Sequence, residues 1–402
     1  MSEWPLTRLG EVADVLVGYA FKSSSFATTP DGPRLLRGTN IHQGYTDWSQ
    51  EARWPAGEAY GSRYELESGD VVLAMDRPWI EAGLKRTRLR EADLPALLVQ
   101  RVARLRGTVR ASTSFIHHTL ATETFSKFLQ VQVTGATVPH ISQSQIESYE
   151  LSLPPLREQD AICFILDAID DLIENNRRRV GVLEEVARAI YREWFVNFRY
   201  PDHECVSLVD SALGTIPKGW AVGSVDAHLV LQRGFDLPTK DRAAGSIPVM
   251  GASGIQGSHD VARASGPGVT TGRSGTVGVV NYIPGDFWPL NTSLWVREFR
   301  LATPRYAYFL LGDLDLRRSA SGAAVPTLDR KVVHALPAVC PPADLVSRWD
   351  AAVLPLFNEG ELLRQQASSL AALRDLLLPK LVTGQIHASS LDLGALLEES
   401  AA

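Results

Sequence analysis

Apolar residues recur at steps of three and four along two long stretches of this chain, and each stretch predicts a helix of about forty residues. The first opens at Pro154-Pro155, where a helix can begin but cannot continue backwards. It runs from about Arg157 to Asn197, with Ile162, Ile165, Ile169, Leu172, Leu183, Val186 and Ile190 on one stripe. At ~1.5 Å per residue such a helix is roughly 60 Å long. Asn176 and Arg179 interrupt the stripe, a pattern that fixes register at some cost in stability. The second stretch follows Pro341-Pro342 and places Trp349, Val353, Leu356, Leu363, Leu370, Leu373, Leu377 and Leu381 on a comparable stripe. Pro379 is expected to interrupt its final turns and Gly384 to end it. Neither stripe has a core of its own. The economical solution pairs the two antiparallel; the alternative is two unrelated amphipathic helices, each on its own domain.

The remaining stretches alternate short apolar runs with turn residues and predict mixed α and β structure. Val71-Val72-Leu73-Ala74, Leu97-Leu98-Val99 and Gly278-Val279-Val280-Asn281-Tyr282 have the character of strands. Gly251-Ala252-Ser253-Gly254 and Gly266-Pro267-Gly268 punctuate them. These stretches also repeat one another. Gly135-Ala136-Thr137-Val138-Pro139 is answered 187 positions later by Gly322-Ala323-Ala324-Val325-Pro326. Pro154-Pro155 is answered by Pro341-Pro342 at the same offset. Trp4, Leu9, Gly18 and Tyr19 are answered by Trp220, Val225, Gly234 and Phe235, now 216 positions on. The predicted fold class is α+β, with two duplicated globular domains joined by two long antiparallel coiled-coil helices. The boundaries fall at 1–153 and 201–340 for the globular domains, 154–200 and 341–388 for the helices, and 389–402 for a tail.

Composition narrows the functional classes. A chain of 402 residues is long enough for two or three cores. It has no apolar run of the ~20 residues that a membrane span needs, and its start lacks a signal-peptide pattern, so a cytoplasmic location away from membranes is expected. Cys163, Cys205 and Cys340 are scattered, which argues against a disulfide framework or a cysteine metal site. The net charge of −6 conceals a basic run from Arg77 to Arg110. That run reads either as a nucleic-acid face or as a solvated strand pair with ordinary surface arginines.

The residues of familiar catalytic motifs are not assembled here. The Pro-Pro pairs are preceded by Leu153 and Cys340 and followed by Leu156 and Ala343, not by the polar and aromatic residues of an amino-methyltransferase. Gly272-Arg273-Ser274-Gly275-Thr276-Val277-Gly278 lacks the Lys-Ser/Thr of a P-loop. Pro201-Asp202-His203-Glu204 has no following lysine at nuclease spacing, and His117-His118 has no third ligand nearby in sequence. The pattern is that of a binding protein, with no catalytic or metal site.

Four segments carry a family resemblance: Leu153-Pro154-Pro155-Leu156-Arg157-Glu158-Gln159, Trp194-Phe195, Leu213-Gly214-Thr215-Ile216-Pro217-Lys218-Gly219-Trp220 and Leu378-Pro379-Lys380-Leu381-Val382-Thr383-Gly384-Gln385-Ile386. In these the chain resembles the specificity subunits of type I restriction-modification systems. The second helix departs from the pattern, opening Pro341-Pro342-Ala343-Asp344 without the Glu-Gln of the first. The resemblance implies two target-recognition domains, each reading one half of a bipartite, asymmetric double-stranded DNA target. It implies helices that dock two methylation subunits, with motor-nuclease subunits joining to cut. S-adenosylmethionine, ATP and magnesium are then expected in those partners, with no cofactor and no catalysis in this chain. Candidate DNA contacts are Lys22, Arg37, Asn40, Arg77, Arg86, Arg88 and His140 in the first domain. In the second they are Arg233, Lys240, Arg242, Ser253, Arg273 and Thr327. Two other readings stay open: a coiled-coil scaffold that reads no DNA, and the specificity subunit of a methylation-only system.

Overall fold

The computed structural model describes residues 4–27, 30–80, 82–133, 139–322 and 326–390. The repeated residues Gly135 to Val138, their counterparts Ala323 to Val325, and most of the expected tail lie outside the described residues. The chain divides into two compact units, one of residues 1–174 with 367–402 and one of residues 175–366. Among the described residues no helix is long and apolar enough to cross a membrane.

In the first unit, Val71–Ala74 is buried on both faces and forms an inner strand of a four-stranded antiparallel sheet. The order across that sheet is Ala13–Val17, Val102–Gly107, Val71–Ala74 and Arg86–Arg88. Beside it, Arg34–Leu36 pairs in parallel with Ala96–Leu98. Helices Thr113–Leu120 and Glu123–Gln132 follow the sheet. Each starts where a hydroxyl meets an otherwise unpaired backbone N–H, Ser112 accepting from Phe115 and Thr122 from Phe125. Leu6–Arg8 and Glu150–Ser152 then pair antiparallel and bring the two ends of the globular stretch together.

The second unit repeats these pairings. Its four-stranded sheet runs Leu229–Arg233, Ser293–Phe299, Gly268–Gly272 and Val280–Ile283. Ile247–Gly251 pairs in parallel with Trp288–Pro289, and Ala221–Ser224 closes on Pro337–Cys340. The strand expected from Gly278 begins at Val280, because Gly278 itself takes a left-handed φ of 84°. The repeat seen in sequence has a steric basis at Gly18 and Gly234. A Cβ on Gly18 would lie 2.3 Å from the Val99 carbonyl oxygen, and one on Gly234 would lie 2.2 Å from that of Leu290. Only glycine lets the two backbones approach this closely.

The long helices span Leu156–Phe195 and Ala343–Val382, and each contributes to both units. In the first unit Glu158 accepts from the Ala388 N–H and Asp170 meets Arg374 at 2.9 Å, so the two segments run antiparallel. In the second, Asn176 donates to Gln366 while Tyr191 lies against Trp349, again antiparallel. Ile162, Ile165, Ile169, Val353 and Leu363 are buried as expected. Leu183, Ile190, Leu356, Leu370 and Leu377 are half-buried. Leu172 and Val186 are exposed, which corrects the expected seam; Ile173 and Ala187 take the buried positions. Pro379 does not break the distal helix, whose neighbours Leu378 and Leu381 are buried in the first unit's core. The stop comes at Gly384 with φ 70°, where the Gln385 and Ile386 N–H groups return to the Lys380 carbonyl.

Candidate nucleic-acid interface

At one corner of the sheet in each unit, the chain leaving the third strand is pinned by the same backbone bonds. In the first unit Met75 donates to the Arg101 carbonyl (2.8 Å), Arg77 to that of Pro139 (3.0 Å), and Ile141 donates back to Met75 (2.8 Å). In the second, Arg273 donates to Thr292 (2.9 Å), Gly275 to Pro326 (3.2 Å), and Leu328 donates back to Arg273 (2.8 Å). Asp76 bridges His140 as Ser274 bridges Thr327. Position by position, Met75, Asp76, Arg77 and His140 correspond to Arg273, Ser274, Gly275 and Thr327. The repeated Gly-x-x-Val-Pro segments feed into this corner through Pro139 and Pro326.

One frame thus carries two different sets of side chains. In the first unit Asp76 accepts from the His140 Nδ1–H at 2.5 Å and from Arg101 at 2.6 Å, so its charge is matched. Arg77 is exposed and takes a left-handed φ of 44°, while Arg101 sits at 66°. Non-glycine residues adopt such angles at a cost of about 1–2 kcal/mol. Burial, and then the charge of Arg77, lowers the pKa of Lys85. In the second unit the cations are Arg233, Arg273 and Arg330, around a cleft of about 520 Å³ that Thr327 also lines. Its acid, Asp329, accepts from the Lys331 N–H as a helix cap.

The other candidate contacts lie elsewhere. Lys22 is exposed before the turn Ser23–Ser25. Arg37 is half-buried and donates to the Gln50 carbonyl. Asn40 is buried, donating to the Asp47 carbonyl at 2.9 Å and accepting from the Arg37 N–H, so it holds its own loop rather than facing a ligand. Lys240 and Ser253 are exposed, and Arg242 is tied to the Gln256 carbonyl.

Arg86 and Arg88 are corrected by the structure. Both lie in the edge strand Arg86–Arg88, which places them beside a buried charge network instead of in an open loop. Arg88 pairs with Asp167 at 3.0 Å, and His118 reaches the same carboxylate at 2.7 Å. Burial would raise the Asp167 pKa, but hydrogen bonds from His118 and Arg88 outweigh it and hold the carboxyl well below its usual range. Arg86 is buried, and desolvation lowers its pKa to about 10.

His117 and His118 are also buried, and Asp170 supplies the third neighbour that the sequence did not reveal. Their ligand atoms lie within 4.8 Å of one another. Asp170 is committed to Arg374, and Arg86 faces it electrostatically. A dication there would oppose two guanidinium groups, so the cluster works as charge balance rather than as a metal centre.

The basic run from Arg77 to Arg110 is mostly neutralised by the same logic. Arg90 meets Glu174, Arg104 meets Asp14, Arg106 meets Asp70 and Glu67, and Arg110 meets Glu11. Among the described residues, Arg77, Lys85 and Arg86 form no ion pair, and of these only Arg77 is exposed. Arg330 was missed by sequence reading; its signal was proximity to the repeated segment ending at Pro326.

Two α+β units of one topology, each with its own cationic corner, together with two long helices that contribute to both, define a duplicated α+β protein. Residues 1–185 match the family model described as the type I restriction modification DNA specificity domain. The chain is 37% identical over 173 residues to the type I restriction enzyme EcoAI specificity subunit of Escherichia coli, a match covering 42% of this chain and 28% of that protein. It is 33% identical over 192 residues to the MjaVIII specificity subunit of Methanocaldococcus jannaschii, covering 47% of this chain and 44% of that protein. These matches therefore span less than half the length of either relative. The crystal structure of a type I restriction-modification S subunit from M. genitalium shares the fold, with a TM-score of 0.55 at 14% identity over 95% of this chain and 96% of that one. The resemblance to type I specificity subunits is thereby shown, and the α+β fold with it.

Proposed function

We propose that this chain is the DNA-reading subunit of a type I restriction-modification complex. Each unit reads one half of a bipartite, asymmetric double-stranded target, and the chain itself performs no bond chemistry. The observation that carries this reading is the repeated corner: one backbone frame, built twice, with different polar side chains. Two copies of one reader with different contacts give a target whose halves differ. Joining them in one chain raises the effective concentration at the second half-site once the first is bound.

The paired helices dock two methylation subunits in this reading. Phe164, Leu172, Leu362 and Leu376 support it, being large apolar side chains left exposed on the long helices. S-adenosylmethionine belongs to the methylation subunits, while ATP and magnesium belong to motor-nuclease subunits that join them.

The test is a single-molecule methylome of the host with this gene intact and deleted. Deletion is expected to abolish one bipartite N6-methyladenine motif. An unchanged methylome would favour a scaffold that reads no DNA.

A further inference from the structure

We propose that Arg77 is a specificity-determining residue that reads a guanine in the half-site of the first unit. The assignment rests on the DNA-reading function proposed above and deepens it. Arg77 and Gly275 occupy the same place in the duplicated frame, each donating its backbone N–H to the proline that ends the repeated segment, at 3.0 and 3.2 Å. Both take left-handed φ, 44° and 81°. The second unit uses the residue that fits this conformation without strain, whereas the first uses arginine. Non-glycine residues in this region tend to mark functional sites when surrounding structure over-determines them. Three backbone bonds do so here.

The charge of Arg77 is not spent inside the protein. Asp76, the adjoining acid, is already matched by His140 and Arg101. Lys85 is a charged neighbour, its ammonium form disfavoured by burial and then by Arg77 itself. A fixed backbone, a free guanidinium fork and an environment that repels further cations suit a rigid pair of acceptors. The O6 and N7 atoms of guanine in the major groove are such a pair. The second unit's nearest counterpart is Arg273, two positions earlier in the frame, so this contact belongs to one half-site alone.

The experiment replaces the chromosomal gene with an Arg77→Gly allele and reads the methylome, alongside a thermal melt of the purified full chain. The motif is expected to relax at a single guanine of one half-site, with discrimination there falling on the order of ten-fold. The other half-site should be unchanged, and the variant chain should melt no lower than the native one. Arg77→Lys should relax the same position, because an ammonium cannot form the two parallel bonds. An unchanged motif with uniformly weaker methylation would make Arg77 a phosphate contact and overturn the assignment. A lower melting temperature would make it structural. Loss of no motif on deleting the whole gene would instead refute DNA reading itself.

Discussion

Charged residues of this chain divide into those that balance one another inside and those left facing out, and sequence alone does not separate the two. Arg77, Arg86 and Arg88 come from one basic run, yet only Arg77 is exposed and unpaired among the described residues. The sorting depends on carboxylates about eighty positions away, Asp167 and Asp170, which no local pattern supplies. Arg88→Ala should therefore lower stability by about 1–3 kcal/mol while leaving the methylated motif intact; a melt and a methylome of the same variant check both halves. His117 offers a second test. Burial, then Arg86, holds its pKa well below the ordinary 6.5, so the folded chain keeps it neutral. The unfolded chain takes up a proton as pH falls through about 6.5, and stability must fall with it. The melting temperature should drop between pH 7 and pH 5, and His117→Gln should flatten that slope. Some slope will remain from His228 and His334, both also lowered by burial.

Elements were more legible than their faces. Both long helices stood out in the three-and-four spacing, as did the inner strand Val71–Ala74. The stripe of the first helix drifted, however. The buried residues Ile162, Leu166, Ile169 and Ile173 are spaced by four, three and four, a heptad seam displaced by one residue from the expected one, which leaves Leu172 outside. In the second unit the seam widens into an aromatic cluster. Tyr191 lies 5.5 Å from Phe309, and Phe195 meets Tyr306 edge-on at 4.8 Å. Trp349 is fully buried among them. Trp349→Ala should cost about 3–5 kcal/mol, measured as a lower denaturation midpoint.

The duplication was the most legible feature of the whole molecule, because its markers are residues that the fold cannot exchange. Gly18 and Gly234 keep their identity through backbone contact, and the proline pairs begin the long helices. The corner side chains were illegible for the opposite reason: the frame holds through backbone bonds and leaves their identity free. Replacing Trp220 to Val339 with the equivalent stretch of a relative should change one half of the methylated motif and spare the other. A change in both halves on methylome sequencing would refute independent readers. The strands that open and close each globular stretch pair with one another, Leu6–Arg8 with Glu150–Ser152 and Ala221–Ser224 with Pro337–Cys340. Each globular stretch therefore starts and ends at neighbouring points. If the units read DNA as proposed, homologous recombination with crossovers in those short segments would deliver a lineage a new address in one step, with no selection needed to rebuild the surrounding fold.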